Sequence, residues 1–199
     1  MSTKKANPKA SVSFVLASGS PRRRELLKEL LDGFEVVTTD AEELSDHPLG
    51  PEDLVRENAR RKAIFVADLR PESWVLGADT VVSIGDRILG KPADLDEATS
   101  MLRLLSGRTH RVCTGLCLKR VDSDYEDLKV DSSEVSFQSL YDERIESYFS
   151  EVNPLDKAGG YAIQTRPDLI VSGFSGSRSN VIGLPLEMLE DWLREVGVL

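Results

Sequence analysis

Short apolar runs of strand length alternate with segments whose leucines and alanines recur at helical spacing, and this alternation restricts the chain to a layered α/β fold. Ser13–Ala17 is an unbroken buried-strand run, and Pro21–Leu31 follows it with Leu26, Leu27, Leu30 and Leu31 on one helical face. Phe34–Thr38 predicts a short second strand, and Pro51 opens a helix that carries Leu54, Val55, Ala59, Ala63 and Phe65 to about Asp68. Trp74–Ile84 and Arg87–Leu89 read as strands around the Gly85-Asp86 turn. A helix over Leu95–Leu105 comes next, capped by Asp94 and stopped by Gly107. Val112–Val121 and Leu128–Leu140 predict a hairpin across the polar turn Asp122–Asp127. Beyond it the pattern gives a helix over Asp142–Phe149, a glycine-rich loop at Asp156–Gly160, and strands around Tyr161–Gln164 and Leu169–Phe174. Asn180–Pro185 reads as a strand-to-helix turn, and a last helix runs from Pro185 to about Val196. Hairpins enter after an alternating first half, so the sheet is expected to be mixed and not purely parallel. Residues 1–10 read as a polar, frayed arm, and residues 11–199 as one domain.

Charge narrows the function classes. The chain has 25 Lys and Arg against 34 Asp and Glu, a net −9, so nucleic acid and anionic membranes repel it as a whole. Any anion it binds must be met by a local cluster of cations. The longest stretch free of charge is Ala10–Pro21, 12 residues, well short of the ~20 apolar residues needed to span a bilayer. Lys4 and Lys5 before Val12–Ala17 imitate a signal peptide, but Arg22, Arg23 and Arg24 follow too soon, and a cytoplasmic protein is expected. Cys113 and Cys117 lie four apart on one expected strand, too far apart to bridge, and are read as buried thiols. With two cysteines and two histidines, no zinc pattern is present.

Three segments carry chemistry. Ser18-Gly19-Ser20-Pro21-Arg22-Arg23-Arg24 stands where a strand ends and a helix begins. Three arginines at the positive end of a helix dipole cost several tenths of a kcal/mol each unless an anion lies there. With the Ser18 hydroxyl and free backbone N–H groups they would cradle a phosphate chain. In Gly77-Ala78-Asp79-Thr80-Val81-Val82 a carboxylate interrupts an apolar strand. Burying it unpaired costs several kcal/mol, so Asp79 is expected to hold a metal, activate a water or enter a hydrogen-bond network. Lys91, in Gly90-Lys91-Pro92, can reach a phosphate across a cleft. Asp156–Gln164 combines glycines that permit close backbone approach with the Gln164 amide, whose donor and acceptor match the adjacent N–H and C=O of a pyrimidine edge.

Together with Leu105-Ser106-Gly107-Arg108-Thr109-His110 and Gly183-Leu184-Pro185, these segments resemble the Maf family of nucleoside triphosphate pyrophosphatases from Val15 to Leu186. The resemblance implies a mixed twisted sheet flanked by helices, with two lobes around a deep cleft, as in inosine-triphosphatase-like folds. It also implies a housekeeping enzyme that splits a nucleoside triphosphate into monophosphate and pyrophosphate with a divalent metal, Mg²⁺ or Mn²⁺. By position, Asp79 matches the family's general base, and Ser18, Arg23, Lys62 and Lys91 its phosphate-contacting residues. Glu43 matches an acidic residue that helps hold metal together with Asp79, with Glu42 beside it as the alternative. Arg22, Thr80 and Gln164 occupy the positions that separate the branch acting on dTTP and UTP from the branch acting on 7-methyl-GTP, and here they match the former. Members of the family are often dimers, so a homodimer is the oligomer that the resemblance implies. The rivals are a nucleotide-binding regulator of cell division that does not turn its ligand over, and a pyrophosphatase of another base specificity, such as 7-methyl-GTP.

Overall fold

The computed structural model describes residues 13–199; the arm expected over residues 1–10 lies outside them. In chain order the elements are β1 (Phe14–Ala17), α1 (Pro21–Leu27), β2 (Glu35–Val36), α2 (Pro51–Ala67), β3 (Trp74–Ile84), β4 (Arg87–Leu89), α3 (Leu95–Leu105), β5 (Thr109–Arg120), β6 (Tyr125–Phe137), α4 (Asp142–Phe149), α5 (Pro167–Ile170), β7 (Val171–Ser175), α6 (Arg178–Ile182) and α7 (Leu186–Glu195). The seven strands form one sheet in the order β2-β1-β3-β5-β6-β7, with β4 paired to β3. β1 lies parallel to β2 and β3, whereas β4 and β5 on β3, β6 on β5 and β7 on β6 run antiparallel. The sheet is therefore mixed.

Successive side chains of a strand face opposite sides, and β3 shows what each side meets. Leu76 and Ala78 join Leu16, Leu116, Leu27 of α1, and Leu189 and Trp192 of α7 in one core layer. Val82 continues on that side with Leu102 and Leu105 of α3, and Ile145 and Tyr148 of α4. Val75 and Val81 face the other way, toward α2. There the contact is unusually close. A Cβ on Gly77 would lie 2.2 Å from the Ala59 carbonyl, and one on Gly115 would lie 2.4 Å from that of Val55. Hydrogen on these two strands lets the helix backbone sit on the sheet, which decides how far its side chains reach. Cys113 and Cys117 are free and buried on this face.

Most expected elements are found, and the differences have local causes. The first helix stops at Leu27, and Glu29 and Leu30 donate to Leu26 and Leu27 in tighter turns. Leu31 stays buried, so the apolar period outlasts the helix. β2 shrinks to two residues, and the long hairpin starts at Thr109 and ends at Phe137. Tyr161–Gln164 is not a strand. Gly159 and Gly160 turn at φ +69° and +73°, and the backbone of Ala162 then pairs with a side chain, its N–H donating to Tyr148 Oη at 2.9 Å and its carbonyl accepting from it at 3.0 Å. Residues 167–170 form α5 before β7. The expected strand-to-helix turn at Asn180–Pro185 is instead the end of α6, capped by Ser177 and closed by Gly183 at φ +124°. Among the described residues no helix is long and apolar enough to cross a membrane.

His110 sits under the glycine loop, 2% exposed, with Nε2 2.7 Å from Tyr161 Oη, its ring edge-on to Phe137, and no partner for Nδ1. Burial lowers its pKa from 6.5 to about 4. Between those values the unfolded chain takes up a proton that the folded protein refuses, so stability falls with falling pH, by roughly 3 kcal/mol over the window. His110→Gln is expected to lose less melting temperature than the parent between pH 6.5 and pH 4. Equal losses in the two proteins would assign the pH dependence to other groups.

Candidate active site

β1 pairs with β3 only as far as Gly77, and β4 pairs with it only from Val82. The four residues between, Ala78 to Val81, therefore have no strand along that edge. A cleft of about 730 Å³ opens there, bounded by the β1–α1 turn, the segment before α2, α2 itself and the Asp156–Gln164 loop. Ser18, Arg22, Arg23, Glu43, Lys62, Asp79, Thr80, Lys91 and Gln164 all line it. Of the two glutamates weighed for the acidic position, Glu43 is on the cleft, whereas the Glu42 carbonyl accepts from Arg61. Arg24 is exposed and does not line the cleft.

Asp79 is 6% exposed and both its oxygens are held. Oδ1 accepts from Lys62 Nζ at 2.7 Å and Oδ2 from Asn58 Nδ2 at 3.1 Å. Lys62 Nζ also lies 3.1 Å from Glu43 Oε1, so one buried ammonium joins the two carboxylates. The arrangement follows from helix geometry: Asn58 and Lys62, four residues apart on α2, share the face that Gly77 and Gly115 draw onto the sheet. Asn58 was not among the expected site residues. It does more than touch Asp79, since its Oδ1 accepts from the Leu44 N–H at 2.8 Å and its Nδ2 donates to the Leu44 carbonyl at 3.0 Å. It thereby fixes the segment that carries Glu43. The available signal was an amide one turn before Lys62 on an otherwise alanine-rich helix face.

The arginines divide the work differently from the expected fan around an anion. Ser20 caps α1 through the Arg23 N–H. Arg23 turns its fork inward, with Nε donating to the Gly183 carbonyl at 2.9 Å, Nη1 to the Ala78 carbonyl at 2.9 Å and to Ser18 Oγ at 3.3 Å, and Nη2 to Thr80 Oγ1 at 2.9 Å. Burial lowers its pKa and the charge of Asp79 opposes that shift. Arg23 is thus a charged brace between α1, β3 and the end of α6. Arg22 reaches across the mouth of the cleft to Asp156, with Nη1 2.8 Å from its carboxylate and Nη2 3.1 Å from its carbonyl. Lys91 and Gln164 are exposed at the rim, and Lys91 has no ion pair among the described residues.

A chain of net −9 thus gathers Arg22, Arg23, Lys62 and Lys91 into one cleft with the buried carboxylate of Asp79. Asp79 and Glu43 are hard oxygen donors. No group of three or more His, Cys, Asp or Glu side chains comes together among the described residues. Mg²⁺ takes one or two carboxylates plus phosphate oxygens and waters, and a pair of carboxylates in a cationic cleft fits an ion shared with a phosphate ligand.

Most of the chain is matched by curated relatives. The dTTP/UTP pyrophosphatase of Pelotomaculum thermopropionicum is 42% identical over 183 residues, which cover 92% of this chain and 96% of the relative. Those of Thermococcus gammatolerans and Myxococcus xanthus are 47% and 46% identical, each over 92% of this chain and over 96% and 92% of the relative. The Staphylococcus aureus Ham1 protein shares the fold at a TM-score of 0.57 and 14% identity, over 92% of this chain and 99% of that one. The profile of Maf-like proteins matches residues 13–196. That span runs from the first sheet strand through the last helix and takes in every side chain of the cleft, so the chain belongs to the Maf family.

Proposed function

We propose that this protein hydrolyses dTTP and UTP to the nucleoside monophosphate and pyrophosphate. The observation that carries the reading is Asp79, a carboxylate anchored between Asn58 and Lys62 on the floor of a cationic cleft. Without a metal, a pure anion receptor gains nothing from a carboxylate beside phosphates, whereas hydrolysis needs a group that accepts a proton from water. In this reading Asp79 takes that proton as the water attacks the α-phosphorus in line, and pyrophosphate leaves. Lys62, Arg23 and Lys91 offset the charge that builds on the phosphate oxygens, and the Ser18 hydroxyl donates to one of them. Arg22, Thr80 and Gln164 contact the nucleoside. Glu43 and Asp79 would hold the divalent cation, Mg²⁺ or Mn²⁺, which supplies charge neutralisation across the triphosphate. A small nucleotide and not a nucleic acid is the partner, and the enzyme works in the cytoplasm. The relatives named dTTP/UTP pyrophosphatase at 41–47% identity support the choice of base.

The test is a panel of nucleoside triphosphates with Mg²⁺ or Mn²⁺, with pyrophosphate and orthophosphate measured separately. Pyrophosphate from dTTP and UTP, and not from GTP or 7-methyl-GTP, is the expected result. Tight binding without release from any of them would favour a nucleotide-binding regulator.

Asn58 supplies a second prediction. Asn58→Leu removes a buried hydrogen bond to the charged Asp79, worth about 1.5–3 kcal/mol, together with both hydrogen bonds to the Leu44 backbone. Turnover is expected to fall about 10- to 100-fold with a smaller change in KM, because the residue orients Asp79 and does not touch substrate. A rise in KM at unchanged kcat would assign Asn58 to substrate binding instead.

A further inference from the structure

Thr80 and Thr114 stand directly opposite each other on β3 and β5, with their hydroxyl oxygens 2.9 Å apart. By itself that distance leaves the direction of the bond open, and the surroundings close it. Thr114 Oγ1 lies 3.1 Å from the Asn180 carbonyl at the end of α6. A carbonyl only accepts, so the single Thr114 proton is spent there. Thr80 must then donate its own proton to Thr114. One of the two Thr80 lone pairs accepts from Arg23 Nη2 at 2.9 Å, and the other remains. Thr114 is fully buried, whereas Thr80 is half-exposed on the cleft. The cleft floor therefore presents at this point an oxygen that can accept a hydrogen bond and cannot give one.

A phosphate oxygen is also an acceptor, so an oxygen held this way disfavours a phosphate at this point and complements a ligand N–H or O–H. dTTP and UTP differ at the sugar 2′ position, which excludes the 2′-hydroxyl as the group they share, and the 3′-hydroxyl that both carry is present on CTP as well and distinguishes no base. Both carry the imide N3–H, and cytosine has a bare acceptor nitrogen at that position. We infer that Thr114 is a specificity-determining residue: by fixing Thr80 as an acceptor it makes the cleft select pyrimidines that carry N3–H over those that lack it. The inference rests on the proposed base preference. It adds a residue that touches no ligand and acts only through the polarity of Thr80.

The experiment compares Thr114→Val with Thr114→Ser and the parent. Valine keeps the shape and removes the hydroxyl, and the Asn180 carbonyl retains the Gly183 N–H as a donor at 2.9 Å. Freed of its acceptor, Thr80 can rotate and donate. The ratio of kcat/KM for UTP to that for CTP, taken within one preparation, is expected to fall 10-fold or more in the valine variant and to stay near the parent value in the serine variant. A ratio unchanged by valine, or lowered equally by serine, overturns the inference. Independently of any variant, N3-methyl-UTP should be taken at least 10-fold less well than UTP by the parent protein, and equal use would also overturn it. The same ratios are read from equilibrium binding of the α,β-imido analogues of UTP and CTP. Binding that follows the predicted pattern without hydrolysis of UTP would sink the pyrophosphatase reading and leave the Thr114 inference standing.

Discussion

Asp79→Asn is expected to fold and to lose on the order of 100-fold or more in turnover, the size of a lost general base. Both neighbours of Asp79 are donors, the Lys62 ammonium and the Asn58 amide. An asparagine has only one acceptor to offer them, so its NH₂ must meet one of them donor to donor. That mismatch costs about 1–3 kcal/mol, which a domain of this size tolerates. Lys62 keeps Glu43 as a partner. Steady-state pyrophosphate release and a melting curve on the same sample separate the two effects. A variant that melts a few degrees lower and is nearly inactive fits the assignment. One that turns over at the parent rate removes Asp79 from the chemistry.

The second large effect lies in the packing that brings the site together. Gly77→Ala places a methyl group 2.2 Å from the Ala59 carbonyl and 2.8 Å from the Ala63 nitrogen, both backbone atoms of α2. Backbone cannot swing aside as a long side chain would, so the helix must lift from the sheet. Overpacking of this kind costs about 3 kcal/mol. Asn58 and Lys62 ride on that helix, and lifting it draws them away from Asp79, which stays on β3. The variant is expected to lose stability and turnover together, without any change in the chemistry of a site residue. Gly173, on the edge strand β7, has open space where its Cβ would be. Gly173→Ala is the control, and it should leave both properties near the parent values. A Gly77→Ala protein as stable and active as the parent would show that the helix–sheet spacing does not govern the site.

The parts legible in the sequence are those set by neighbours along the chain. β3, β4, α3 and α4 begin and end where the apolar period, Asp94 and the Gly85-Asp86 turn place them. Asp79 in an apolar strand and the arginines opening a helix were equally visible as types that are expensive where they stand, whereas Lys62, Glu43 and the role of Thr80 came only with the family resemblance, and Asn58 with neither. What stayed hidden was each group's partner. Tyr161–Gln164 has a strand's composition, yet Tyr148 takes the Ala162 backbone out of any ladder. Arg23 suggested an anion facing solvent, yet its donors go to carbonyls and hydroxyls as far as 160 residues away.

The sequence alone thus determined an alternating α/β chain with a mixed sheet and with carboxylate, lysine and arginine at defined points, because periodicity, capping and the cost of burying charge are local properties. Only the tertiary structure decided that β1 and β4 pair with β3 in registers that leave four of its residues bare, that two glycines let α2 carry Asn58 and Lys62 onto Asp79, and that Thr114 turns Thr80 into an acceptor. These depend on which donor meets which acceptor across the fold. That matching is set by packing between distant segments, and no window of sequence contains it.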